Sequence, residues 1–286
     1  MNKILRRLLT FFIGLPLVVL IVYLTPFNHL LLHCAITIFA FMASTEIYNL
    51  LSKNIPMQNK YLVVGFATLI PISAYGCILL NLDFTISTLV FLAFFMILLI
   101  IEIFLPSSHN LDMPFADSNK KITGSLFVLL YGGYLLSFLS RMTSFPHSRE
   151  FIITFLVIVF LCDSAAWFFG VLFGKGSRGL VKASPNKSLI GFVGGILGAI
   201  ASGILCSFIW PDVFSGSLWK MVLLGLFVSI AAILGDLAES VFKRSAGEKD
   251  SGNIIPGRGG ALDSIDSLLM AAPLYYFIAG MLFTEL

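Results

Sequence analysis

Residues 218–244 read LWKMVLLGLFVSIAAILGDLAESVFKR, and this stretch decides the fold. Its apolar run is long enough to cross a hydrocarbon layer of about 30 Å as a helix. It ends abruptly in charge, beginning at Asp236. Comparable runs lie at about 8–25, 30–51, 61–80, 84–105, 122–140, 151–173, 188–210 and 265–284. With 218–238 they predict an all-α polytopic integral membrane protein of about nine transmembrane helices. Composition agrees: 58% of the 286 residues are hydrophobic and 12% charged, about half the charged share of a soluble domain. A water-soluble fold of this length could not hide so much apolar surface.

The basic residues orient the chain. With the N-terminus cytoplasmic, fifteen of the eighteen Lys and Arg fall inside, and only Arg141, Arg149 and Lys220 lie outside. Both long polar loops, 174–187 and 239–264, are then expected on the cytoplasmic face, where soluble phosphate donors are met. The basic start and first apolar run are not followed by a small-residue cleavage pattern, so a retained first span is expected. The four cysteines, Cys34, Cys77, Cys162 and Cys206, lie far apart in apolar runs and read as buried core residues rather than disulfides or zinc ligands. The net charge of +3 is small, and no nucleic-acid partner is expected.

The chain also divides by character. Residues 1–145, about five spans, carry little chemistry and read as a transmembrane scaffold. Residues 146–286 hold nearly all the unusual polar residues and read as the catalytic region with its polar loops.

Asp163 sits about halfway along the sixth predicted span. An ionised carboxylate there costs roughly 2.5–3.5 kcal/mol, so it must be neutral, paired, metal-bound or facing water. Trp167, Gly170 and Gly174 follow on the same helical face, where small residues permit close approach of a helix or ligand. The loop KGSRGLVKASPNKS, 175–188, combines four basic residues with hydroxyls and glycines, a composition suited to phosphate. A plain loop obeying the positive-inside rule would also be basic.

On the eighth span Asp236, Glu239, Ser240 and Lys243 fall at helical spacing on one face. Pro256-Gly257-Arg258-Gly259-Gly260 cannot be regular helix. Its glycines would let backbone N–H groups approach an anion, and Arg258 adds a fork of donors. Asp263 and Asp266 follow three residues apart at the start of the last span. Carboxylates on one face beside such a loop suit Mg²⁺, although an acid at a helix start also serves as a cap.

These residues resemble the C-terminal signature of the phosphatidate cytidylyltransferases, the CDP-diacylglycerol synthases. Ser240, Phe242, Lys243, Arg244, Lys249, Asp250, Gly252, Ile255, Pro256, Gly259, Gly260, Asp263, Ile265 and Asp266 occupy matching places without a gap. Upstream, Asp163, Gly170, Phe173, Gly174 and Lys175 look like one family pattern, and Ser184, Pro185, Lys187, Ser188 and Gly191 like another. Four positions depart from it: Arg258 stands for the signature His, Ser264 for Arg, Ala261 for a larger apolar residue and Ile190 for Glu.

The resemblance implies transfer of a cytidylyl group from CTP to phosphatidic acid, giving CDP-diacylglycerol and pyrophosphate. It implies Asp236, Asp263 and Asp266 as ligands of Mg²⁺, with a second cation left open, and Lys249 and Asp250 in the catalytic set. Phosphate contacts fall to Ser184, Lys187, Ser240, Lys243, Arg244, Arg258, Gly259 and Gly260, with Asp163 in support. It further implies membrane lipids as partners, a homodimer, and, in a bacterium, residence in the inner membrane with the active site on the cytoplasmic side. Two alternatives stay open: a CTP-dependent kinase of a lipid alcohol such as dolichol or phytol, and an ion-coupled transporter using the same acids.

Overall fold

The computed structural model describes residues 13–14, 16–105, 113–216 and 218–284. Residues 16–23 are helical. They are followed by α1 (Pro26–Leu51), α2 (Lys60–Leu79), α3 (Thr85–Phe104) and α4 (Ser118–Val128). A π-helical stretch, Leu129–Tyr134, leads into α5 (Leu135–Arg141), and α6 (Ser148–Phe173), α7 (Leu189–Ile209), α8 (Trp219–Ser245) and α9 (Leu262–Phe283) complete the order. Among the described residues eight helical segments are long and apolar enough to cross a membrane, counting 118–144 as one. They coincide with eight of the nine predicted spans. The other prediction, 8–25, lies largely outside the described residues.

Local chemistry sets the boundaries. Asn59 starts α2 by accepting hydrogen bonds from the N–H groups of Tyr61 and Leu62, and Ser188 starts α7 by accepting from Gly191. The π turn sits where Gly132 and Gly133 let the backbone press on α1 and α2: a Cβ at either would collide with Ser44 or with the carbonyl of Ala67. Helix α3 buries only Ser87, Leu98 and Glu102, and leaves Ile103 and Phe104 exposed, the pattern of a helix whose solvent is lipid.

The chain forms two compact units. One contains Met1–Arg141 with Phe242–Ser264, the other Met142–Val241 with Ile265–Leu286. In the first, the segment 242–264 groups with the early spans. Lys53 pairs with Glu248, and Asn54 Nδ2 donates to the Ser245 carbonyl at 2.5 Å. The polar chain after α1 and the polar chain after α8 therefore share one end of that unit. The same unit buries a polar group in which Glu102 accepts from Ser118 (2.8 Å) and Gln58 (3.3 Å), with Lys121 at 3.8 Å. Arg141 lies over the Phe138 ring at 4.4 Å.

In the second unit α6 and α7 pack closely through glycine. A Cβ at Gly191, Gly194, Gly195 or Gly198 would run into Ala166, Phe169, Cys162 or Ala165. Helices α8 and α9 run antiparallel, because Lys220 at the start of α8 donates to the Leu282 carbonyl at the end of α9, at 2.8 Å. All four cysteines are free, and Cys77, Cys162 and Cys206 are buried as expected. Cys34 is exposed instead. An apolar run in a membrane protein does not distinguish a core-facing from an outward-facing position, which is why the sequence misplaces it.

Candidate functional site

Two clusters gather the polar residues singled out from sequence, one in each unit. In the second unit it is made of acids. Asp236 and Glu239 stand one turn apart on α8, Asp266 stands in the second turn of α9, and one oxygen from each lies within 4.8 Å of the other two. The helices can come this close because position 235 is glycine, where a Cβ would strike the Asp266 carbonyl. Glu239 is 1% exposed. Two unit charges held 4.8 Å apart repel by about 3 kcal/mol at an effective dielectric near 20. Three such carboxylates therefore require a bound proton or compensating positive charge.

Lys187 supplies part of it through an ion pair with Asp236. Its loop is shaped by short turns: Ser184 N–H donates to Val181 O, Lys187 N–H to Ser184 O, and Gly179 N–H to Pro185 O. Asp163 joins through a relay, since Ser267 Oγ donates to it at 3.3 Å and Ser267 N–H donates to Asp266 at 2.7 Å. The donor set is all carboxylate oxygen, the kind that hard divalent cations such as Mg²⁺ prefer. Ser240, next on α8, is buried.

The face predicted around Asp163 divides. Gly170 and Gly174 lie against Ser188, the residue that caps the start of α7. Asp163 and Trp167 instead line an open groove of about 840 Å³ between α6 and α7, together with Leu161, Gly198, Ala201 and Leu205. Trp167 is 70% exposed there.

The cluster of the first unit centres on Asp263. Its Oδ1 accepts from Lys243 Nζ at 2.6 Å. Its Oδ2 accepts from Ser251 N–H (2.8 Å) and Gly260 N–H (2.7 Å), and lies 2.9 Å from Ser251 Oγ. The loop that brings these groups together closes between Ile255 and Gly259, which exchange backbone hydrogen bonds of 2.7 and 3.1 Å. Gly259 sits at φ 119°, where an L side chain is strained, and a Cβ there would also meet Asp263. As expected, 256–260 is not helix. The N–H groups of Gly259 and Gly260 donate to the Ile255 carbonyl and to Asp263, so they are engaged within the loop rather than directed at an anion.

The structure thus sorts the residues singled out from sequence. Asp236 and Asp266 come together, with Lys187 and Asp163 alongside. Asp263, also expected among the metal ligands, bonds to Lys243, Ser251 and Gly260, and Glu239, not singled out as a ligand, joins Asp236 and Asp266 in the carboxylate trio. Arg244 is exposed and donates to the Glu248 carbonyl at 3.1 Å. Lys249, Asp250 and Arg258 are exposed, and Ser184 is half-buried. Sequence reasoning missed Glu46 on α1, a buried carboxylate that binds the start of α9.

Comparison with known proteins gives a consistent picture. The family described as the Cytidylyltransferase family matches residues 5–282. A phosphatidate cytidylyltransferase of Synechocystis sp. is 37% identical over 191 residues, covering 56% of this chain and 63% of that protein. One of Staphylococcus haemolyticus is 41% identical over 131 residues, 44% of this chain and 47% of that protein. One of Brucella suis is 38% identical over 158 residues, 55% and 57% respectively. The matched stretches thus span from about half to just under two thirds of the length of these curated relatives.

Proposed function

Because this chain belongs to the cytidylyltransferase family, we propose that it is a membrane enzyme transferring the cytidylyl group of CTP to phosphatidic acid, with CDP-diacylglycerol and pyrophosphate as products. The observation that carries the reading is the trio Asp236, Glu239 and Asp266, held within 4.8 Å and flanked by the Lys187–Asp236 ion pair. Such a site suits a reaction whose whole difficulty is negative charge.

The nucleophile is an oxygen of the phosphate monoester of phosphatidic acid, which is ionised near neutral pH and attacks the α-phosphorus of CTP. The bond from that phosphorus to the bridging oxygen breaks, and pyrophosphate leaves with the electron pair. No side-chain nucleophile is needed, and little proton transfer; alignment and charge neutralisation supply the rate.

Asp236, Glu239 and Asp266 would hold Mg²⁺, which when bound supplies charge stabilisation for the triphosphate. Lys187 would contact phosphate while offsetting Asp236. Lys243, set by Asp263, would present its ammonium to phosphate, and Arg244, Lys249 and Arg258 would add charge from their exposed positions. Ser184 and Ser240 offer hydroxyls. The apolar groove beside Asp163 would take acyl chains of the lipid. The polar loops would lie on the cytoplasmic side, in the inner membrane of a bacterium, and the protein would act as a homodimer.

The test is turnover by the purified protein in detergent with CTP, phosphatidic acid and Mg²⁺. Pyrophosphate release that requires the lipid and is lost in Asp266→Asn supports the reading. Folded protein that releases none across a range of divalent metals would refute it.

A further inference from the structure

Glu46 lies on α1, far in sequence from both polar loops, and is 4% exposed. Its Oε1 accepts from the N–H of Ala261 at 2.9 Å, and its Oε2 from the N–H of Leu262 at 2.8 Å and from Ser251 Oγ at 2.7 Å. The carboxylate therefore grips the two N–H groups at the start of α9, a place where negative charge is favoured by both hydrogen bonding and the helix dipole. Capping normally comes from a residue next to the helix; here it comes from a helix some two hundred residues earlier.

The surroundings are fitted to this carboxylate. A Cβ at Gly260 would collide with Glu46 Oε2 and Ser251 Oγ, and a Cβ at Gly252 would press on Glu46 Oε1. Ser251 links Glu46 to the site proper, since its hydroxyl lies between Glu46 Oε2 and Asp263 Oδ2, 2.7 and 2.9 Å away. Fixing the N–H groups at 261 and 262 sets the rotation of the first turn of α9. That rotation aims the carboxylate of Asp263 at Lys243.

We infer that Glu46 is a positioning residue for cytidylyl transfer: through the start of α9 and through Ser251 it holds Asp263, and by way of Asp263 it fixes the ammonium of Lys243. The inference rests on the reaction proposed above. Its mark is coupling. If Glu46 acts through the Asp263–Lys243 pair, removing Lys243 also removes most of what Glu46 contributes to turnover. A role confined to stability leaves the two effects independent.

The experiment is a double-mutant cycle with Glu46→Gln, Lys243→Ala and the combined variant, measuring kcat and the KM for CTP, with melting temperatures in detergent alongside. Glu46→Gln keeps the shape but turns one acceptor into a donor facing a backbone N–H. We expect kcat to fall by about 10- to 100-fold with KM changed far less, and the double variant to be scarcely slower than Lys243→Ala. Multiplicative effects, or a Glu46→Gln enzyme with normal kcat, overturn the inference while leaving the reaction itself intact. Should Glu46→Gln not fold, Ser251→Ala replaces it in the same cycle, and independence from Lys243→Ala is again the contrary result. Wild-type protein without lipid-dependent CTP turnover would instead mark failure of the proposed reaction.

Discussion

Replacing Glu239 by glutamine removes one charge from the acidic trio while keeping its size, and the consequence has opposite signs with and without metal. Glu239 is 1% exposed and shares a 4.8 Å neighbourhood with Asp236 and Asp266. Asp236 is already offset by Lys187, so the repulsion relieved is chiefly that with Asp266. At an effective dielectric near 20 that repulsion is about 3 kcal/mol. In EDTA the Glu239→Gln protein should therefore melt higher than wild type, by several degrees at about 2–4 °C per kcal/mol. In Mg²⁺ the order reverses in function: losing a ligand charge of that size weakens the metal about 100-fold. The assay is a melting curve in detergent with EDTA, paired with a Mg²⁺ titration of pyrophosphate release. A lower melting point in EDTA together with an unchanged Mg²⁺ midpoint would refute the argument that these three acids form a cation site.

Three further outcomes follow from the same geometry. Arg258 is exposed and stands where the signature has His, so Arg258→His should keep turnover within about 10-fold and Arg258→Ala should raise the KM for CTP, if the position contacts phosphate rather than moving a proton. Gly260→Ala puts a methyl group against Glu46 and Ser251, and should lose nearly all activity and lower the melting temperature, both read on one preparation. Ala201→Trp fills the groove between α6 and α7, and should slow turnover of long-chain phosphatidic acid more than that of a short-chain analogue in mixed micelles.

The membrane spans are legible in the sequence because each is a long apolar run, and hydropathy alone finds all eight described spans, although α8 continues to Ser245, seven residues past the predicted end, because its last turns are polar. The π turn at Leu129–Tyr134 is not legible: it depends on Ser44 and Ala67 lying against Gly132 and Gly133, a tertiary fact. The acids at 236, 239, 263 and 266 are recognisable by helical spacing, yet spacing cannot say which carboxylate faces which partner. Asp263 and Asp266 are three residues apart, and only the position of Ser251 and Lys243 gives the first a different set of contacts from the second. Glu46 carries a signal in the sequence. The cost of an acid inside an apolar span, the argument that singles out Asp163, applies equally to Glu46 and Glu102, and both prove to be buried in hydrogen-bonded polar groups.

The central claim concerns which phosphorus of CTP is attacked and by what. It is tested most directly by supplying the purified protein and Mg²⁺ with phosphatidic acid and CTP labelled at either the α or the γ phosphate, then extracting the lipid. Cytidylyl transfer predicts that α label enters the lipid in step with pyrophosphate release while γ label stays in the aqueous phase. Appearance of γ label in the lipid, or of neither label from folded and lipid-replete protein, would contradict it.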